Sequence, residues 1–279
     1  MKSKFLNSLF LLVWIFSFSY VNANEAFTFN VAEIEILENG NKINGTNGGK
    51  VISDDGSTIA GKNFFYNKQT NILEITENIK YIDSIKNVTI TADKIIYYKN
   101  DEKIFTIGNS KVLEENNSIS ANELEYDKNL NTFKAKKNAE IHDYSKDTKI
   151  FADEISYIKD EEKIFTKGKT RVLVQKKYKF NSSDIYYFRN DEDIFSENKA
   201  SIEDNSGNIY KLDSFSYNIA EGLLKGKEIE VLAKVEGNKI DRYFFEDGFF
   251  NFKKKNHLQK KIYLFYFLQL LLRLQLLFL

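Results

Sequence analysis

The chain has 279 residues, 40 Lys and Arg against 40 Asp and Glu, zero formal net charge and 42% hydrophobic residues. That composition suits one or two globular domains with a sizeable core, not a membrane bundle or a disordered tail. Balanced charge removes the broad attraction a nucleic-acid binder carries, so nucleic acid is not an expected partner. There is no Cys, and only His142 and His257 offer imidazole; disulfides, thiolate nucleophiles, zinc–thiolate sites and iron–sulfur clusters are excluded, and no cofactor or metal is expected. Pro is absent as well, while 24 Phe and 16 Tyr favour pleated, half-buried surfaces that nothing in the sequence interrupts.

Lys2 and Lys4 precede an apolar run from Phe5 to Tyr20, broken only by Asn7 and a few Ser, and Val21-Asn22-Ala23 follows. This pattern predicts a secretory signal peptide over residues 1–23, cleaved after Ala23. The alternative is an uncleaved anchor, for which the run is short. With no Cys near the cleavage site, the exported chain is not expected to be a lipoprotein.

Residues 24–252 carry an internal repeat. Six segments share a hydrophobic residue, one spacer and a Tyr: Phe64-Phe65-Tyr66, Ile95-Ile96-Tyr97, Leu124-Glu125-Tyr126, Ile155-Ser156-Tyr157, Ile185-Tyr186-Tyr187 and Phe215-Ser216-Tyr217. The steps between successive Tyr are 31, 29, 31, 30 and 30 residues. Turn-like residues follow each Tyr, as in Lys99-Asn100-Asp101-Glu102, Lys159-Asp160-Glu161-Glu162 and Arg189-Asn190-Asp191-Glu192. A second strand then starts at a large apolar residue: Leu73, Phe105, Phe133, Phe165, Phe195 or Leu224. Farther on stands an aliphatic position, Val112, Ile141, Val172, Ile202 or Val231, often with a Gly between, as at Gly108, Gly168 and Gly226.

A period of two puts the hydrophobic residue and the Tyr on one side of a strand and Lys94, Glu125, Ser156 or Ser216 on the other. The expectation is an all-β fold of about six 30-residue hairpins, each with one wet face, stacked around a shared interior. The Tyr and Phe ladder then either fills a core or lines a ligand site.

The wording Phe151-Ala152-Asp153-Glu154-Ile155-Ser156-Tyr157, then Phe165-Thr166-Lys167-Gly168-Lys169-Thr170-Arg171-Val172, resembles the repeat of the OstA-like family. LptA and the periplasmic N-terminal domain of LptD belong to that family, which carries lipopolysaccharide to the outer membrane. Thr91-Ala92-Asp93-Lys94-Ile95-Ile96-Tyr97 and Ser120-Ala121-Asn122-Glu123-Leu124-Glu125-Tyr126 repeat the wording, and Phe29-Asn30-Val31-Ala32-Glu33-Ile34-Glu35-Ile36 looks like the opening of an LptD-type domain.

The resemblance implies a β-jellyroll, V-shaped in section, whose trough holds the acyl chains of lipid A. It implies a periplasmic location associated with the outer membrane. The implied partners are other jellyroll Lpt-type proteins, joined by edge-strand pairing, and an outer-membrane barrel or lipoprotein. The residues expected to face the trough are Ile95, Tyr97, Phe105, Leu124, Tyr126, Phe133, Ile155, Tyr157, Phe165, Ile185, Tyr187 and Phe195, with Lys169 and Arg171 as candidates for meeting lipid phosphates at its rim. An LptD-like chain would continue into a barrel and carry Cys; this one does neither, which reads as a truncated LptD-like product or a free module.

After Phe252 the composition turns basic, at Lys253-Lys254-Lys255 and Lys260-Lys261, then apolar from Ile262 to Leu279. The tail over 253–279 reads as non-native sequence or as a short membrane-seeking helix, with Arg273 costly inside a bilayer. Other chemistry finds little footing. Asn44-Gly45-Thr46-Asn47-Gly48-Gly49-Lys50-Val51 lacks the first Gly and the final Ser or Thr of a phosphate loop. Asp54-Asp55-Gly56 and Asp191-Glu192-Asp193 lack Ca²⁺-loop spacing and read as solvated turns. No Gly-x-Ser-x-Gly or His-Glu-x-x-His motif occurs. The leading expectation is a lipopolysaccharide-binding module without catalysis. The alternatives are a filled β-solenoid serving as an envelope scaffold or adhesin, and an exported polysaccharide-acting enzyme using a carboxylate pair.

Overall fold

The computed structural model describes residues 25–235, 237 and 239–253. The expected signal peptide, His257 and all of the expected tail but Lys253 lie outside these residues. The described chain is almost entirely strand: β1 (Phe27–Leu37), β2 (Lys42–Ser53), β3 (Thr58–Gly61), β4 (Asn63–Asn67), β5 (Ile72–Asp83), β6 (Val88–Tyr98), β7 (Lys103–Leu113), β8 (Asn117–Asp127), β9 (Thr132–Asp143) and β10 (Thr148–Ile158). There follow β11 (Lys163–Val174), β12 (Tyr178–Ser183), β13 (Tyr186–Phe188), β14 (Asp193–Ser196), β15 (Ala200–Glu203), β16 (Ile209–Leu212), β17 (Ser214–Asn218), β18 (Leu223–Val235) and β19 (Lys239–Asn251). Among the described residues there is no α-helix, and no helix is long and apolar enough to cross a membrane. The expected all-β class holds.

All pairings are antiparallel, and neighbours in sequence are neighbours in the sheet, so the chain is one long meander. β3 with β4, β12 with β13, β14 with β15 and β16 with β17 are single strands broken near the middle; β3 and β4, for instance, both lie between β2 and β5. The unbroken strands bend at the same level. Their registers slip between Val31 and Glu33, Thr76 and Ile79, Thr91 and Lys94, Ile107 and Ser110, Ser120 and Glu123, and Ala152 and Glu154. Slips of this kind are β-bulges, which bend a strand sharply. Several use left-handed residues, at Glu77-Asn78, Lys137-Asn138, Gly108 and Gly168. At Gly108 and Gly168, with φ of +76° and +79°, the Asp93 and Asp153 side chains occupy the place a Cβ would take.

The bend folds the sheet into two facing halves. Every strand runs from a row of turns on the first half-sheet (54–57, 84–87, 114–116, 144–147, 175–177 and 204–208) across the bend to a row on the second (38–41, 68–71, 99–102, 128–131, 159–162, 189–192 and 219–222). Each 30-residue repeat is therefore two bent strands. Its Tyr belongs to the second half-sheet and its distant aliphatic position to the first. One continuous apolar interior, from Phe27 to Phe252, lies between the halves.

Among the described residues the two edges of the meander are unpaired. Among these residues β1 bonds only to β2, and β19 only to β18. Both edges expose apolar side chains, Ile34 and Ile36 on β1 and Ile240, Phe244 and Phe249 on β19.

Candidate functional site

The inward stripe of the second half-sheet is set by the hairpin register. Each Tyr faces the residue seven positions later: Tyr66 opposite Leu73, Tyr97 opposite Ile104, Tyr126 opposite Phe133, Tyr157 opposite Ile164, Tyr187 opposite Ile194 and Tyr217 opposite Leu224. Nine of the twelve residues expected at the trough are brought together here. Ile95, Tyr97, Leu124, Tyr126, Phe133, Ile155, Tyr157, Ile185 and Tyr187 point inward, each 2% exposed or less.

Phe105, Phe165 and Phe195 do not join them. These three stand eight residues after their Tyr, and in a strand a one-residue offset reverses the face. They lie on the outside, where Phe105 meets Tyr98 and where Phe165 and Phe195 flank Tyr186, with ring centroids 5.2 and 5.0 Å away. Ile104, Ile164 and Ile194 take the inward places. The constant Tyr-plus-seven spacing is the signal in the sequence, and side-chain size points away from it. The outer face is thus partly aromatic and not uniformly wet.

Lys169 and Arg171 also stand outside, on the first half-sheet, with the Arg171 guanidinium 4.4 Å from the centre of the Phe151 ring. Neither borders the interior. His142 packs against Tyr144. Among the described residues no three His, Cys, Asp or Glu side chains are placed to hold a metal ion. Among the described residues, half-open concavities of about 640, 460 and 780 Å³ lie on the outside near β1 and β19.

The first half-sheet faces the ladder with Val51, Ile59, Tyr81, Ile90, Val112, Ile119, Ile141, Ile150, Val172, Phe180 and Ile202, all buried. Tyr recurs in the ladder because its ring fills the apolar space while its hydroxyl reaches the polar margin. Tyr126 donates to Asn131 at 3.2 Å, Tyr157 to Glu162 at 3.2 Å and Tyr187 to Asp143 at 2.9 Å. Burial pushes the Tyr97, Tyr157 and Tyr187 phenols well above their ordinary pKa, and nearby carboxylates add to the shift.

The margin itself is a seam of ion pairs joining the two rows of turns. Lys99 meets Asp54 at 2.7 Å, and Lys128 pairs with Asp55 and, at 3.3 Å, with Glu102. Lys86 donates to the Lys128 carbonyl at 2.8 Å; Lys159 donates to the Lys86 carbonyl and meets Glu114 at 2.7 Å. Arg189 donates from Nε to Asp143 at 2.9 Å and also holds Glu162, while Lys146 pairs with Glu192. Burial alone would raise the Asp143 carboxyl, but Arg189, Ser145 and Tyr187 together hold it below the usual range. Asp55 likewise sits far below, held by Lys128 and Ser57 against its burial. The acidic turns expected to be solvated are in part fasteners: Asp54, Asp55 and Glu192 each cross the seam. Their partners stand about 45 to 73 residues away in sequence, so spacing alone could not pair them.

No known protein family matches the chain, and no curated protein does. Among solved structures, the chain is similar to LptH, the LptA-homologous periplasmic component of the lipopolysaccharide transport device of Pseudomonas aeruginosa. That match has 12% identity over 56% of this chain and 93% of the other, with a TM-score of 0.32. It is also similar to the TCP10 domain of Danio rerio CPAP, solved with a peptide of Danio rerio STIL, at 9% identity over 77% and 98%, with a TM-score of 0.20. Superpositions this loose carry no argument, and the architecture rests on the strand pairing described above.

Proposed function

We propose that this chain is an exported, non-enzymatic lipid carrier that holds the acyl chains of lipopolysaccharide between its two half-sheets and passes the lipid on in the periplasm. The observation that carries the reading is the continuous apolar interior between Phe27 and Phe252, closed along the rows of turns by ion pairs over most of its length and by aromatic rings at its C-terminal end. Burying acyl surface there is favourable by about 25 cal/mol per Å². The resemblance of the repeats to the OstA-like family names the amphiphile. In the finer form of the proposal the chain is LptD-like and hands lipid to an outer-membrane barrel or lipoprotein. The exposed edges of β1 and β19 suit strand addition by jellyroll neighbours.

A second reading is favoured by the burial itself. Buried side chains occupy the space between the half-sheets, as a structural scaffold with a dry core would require.

A photo-crosslinking amino acid in place of Tyr157, with Ser156 as the outward control, separates the two. The purified full chain is irradiated with lipopolysaccharide, and its fold is checked by circular dichroism. The carrier reading expects an adduct at position 157 and none at 156. A folded chain that labels at neither position, or only at 156, is the scaffold.

A further inference from the structure

The seam changes chemistry along the molecule. Two residues beyond the inward Tyr, the first five repeats carry a cation: Lys68, Lys99, Lys128, Lys159 and Arg189. The sixth carries Ile219, which is buried. Among the described residues no ion pair joins the two rows of turns beyond Lys146–Glu192.

Aromatic rings close this last stretch. Phe252, at the end of β19 on the second half-sheet, stacks on Tyr178 of the first with centroids 4.9 Å apart, and lies 5.2 Å from Tyr210 and 5.8 Å from Tyr217. The Tyr178 hydroxyl donates to the Phe252 carbonyl at 3.4 Å. Strands here are also less continuous. The three successive strands formed by β12 with β13, β14 with β15 and β16 with β17 are each interrupted at the bend, as the single strand formed by β3 with β4 is at the opposite end, whereas β5 to β11, β18 and β19 run through it.

We propose that acyl chains enter and leave the interior at this C-terminal end, displacing Phe252 from between Tyr178 and Tyr210. This rests on the reading of the interior as a lipid site. Opening the seam elsewhere would separate charges that are largely out of water, whereas a chain that replaces Phe252 exchanges one apolar contact for another. The rim suits an amphiphile with an anionic headgroup. Lys176 and Lys177 immediately precede Tyr178, Lys253 immediately follows Phe252, and all three are exposed.

The lack of Cys allows a clean test. Two variants of the full chain carry the photo-crosslinker at Tyr157. One has Tyr178→Cys with Phe252→Cys across the aromatic end, and the other has Asp55→Cys with Lys128→Cys across the ionic seam. Each is stapled with a cleavable bis-maleimide before lipopolysaccharide is added. Stapling the aromatic end is expected to cut the adduct about tenfold relative to the cleaved form, and stapling the ionic seam to change it less than about twofold. Undiminished labelling with the aromatic end stapled, or loss with the ionic seam stapled, overturns the proposal.

Amide exchange of the lipid-free wild-type chain provides an arm that needs no lipid. β13, β16 and β17 should exchange about tenfold faster than β2 and β4 at the opposite end. Equal protection at both ends overturns the proposal, whereas the absence of any adduct in the unstapled chain, with exchange as expected, defeats only the carrier reading.

Discussion

Phe27 and Phe252 plug opposite ends of the same interior, but the seams beside them differ. At the N-terminal end Phe27 lies 5.0 Å from Tyr66 and 5.5 Å from Tyr97, and the seam next to it is fastened by Lys99, Lys128, Asp54 and Asp55. At the C-terminal end Phe252 has rings around it and Ile219 where the repeat elsewhere places a cation. Both arrangements exclude water. They differ in what it takes to open them: a buried ion pair resists losing one partner strongly while adding little net stability, whereas an aromatic contact yields to any apolar substitute. Closure of an apolar interior therefore says little about access; the chemistry of the margin decides it.

The sharpest way to break this comparison is at Arg189, whose side chain is 9% exposed against 2% for its partner Asp143. Arg189→Met strands a buried carboxylate and is expected to cost about 3–5 kcal/mol. The shift in urea midpoint checks it, and a loss below about 1 kcal/mol would mean that the ionic seam fastens nothing.

Phe252→Ala should cost a similar amount, about 3–5 kcal/mol for the lost burial of the phenyl group and the cavity it leaves. Its effect should be local, with faster amide exchange in β16 and β17 and little change in β6 to β9. Exchange rising evenly throughout the sheet would remove the distinction between the two ends.

Acid should discriminate more gently. Asp55 and Asp143 are held below their ordinary pKa in the folded chain. Their contribution is complete above the unfolded value near 4 and is lost as pH falls through the folded values. Stability contributed by the seam should thus be flat from about pH 7 to 5 and decline below about pH 4. Exchange in β6 to β11 should then catch up with that in β16 and β17, as measured at descending pH.

Much of this was legible in the sequence. The 30-residue spacing and the hydrophobic–spacer–Tyr triplet placed Ile95, Tyr97, Ile155 and Tyr157 inside, because period two is the geometry of a strand. Phe105, Phe165 and Phe195 were misplaced because hydrophobic size is a weaker guide than register. The bend was hidden, since bulges at Glu77-Asn78 and Lys137-Asn138 use residues that are ordinary in turns. Gly108 and Gly168 marked it without revealing that each strand continues beyond them. The cations two residues after each Tyr were readable as a pattern, and so was its break at Ile219. Only the fold shows what they face, because Asp55 comes from a turn and Asp143 from the end of β9, both on the other half-sheet.

If acyl chains enter a closed, filled interior, its two half-sheets must part where they enter. The direct measurement is the distance between spin labels at Lys177→Cys and Glu221→Cys, exposed positions in the two turns that face each other at the C-terminal end, with and without lipopolysaccharide. The separation should grow by about 4 Å or more, the thickness of one layer of packed carbon atoms, as lipid is added. A distance that stays fixed while lipid is present in excess would contradict such entry and leave the molecule a scaffold with a permanently filled core.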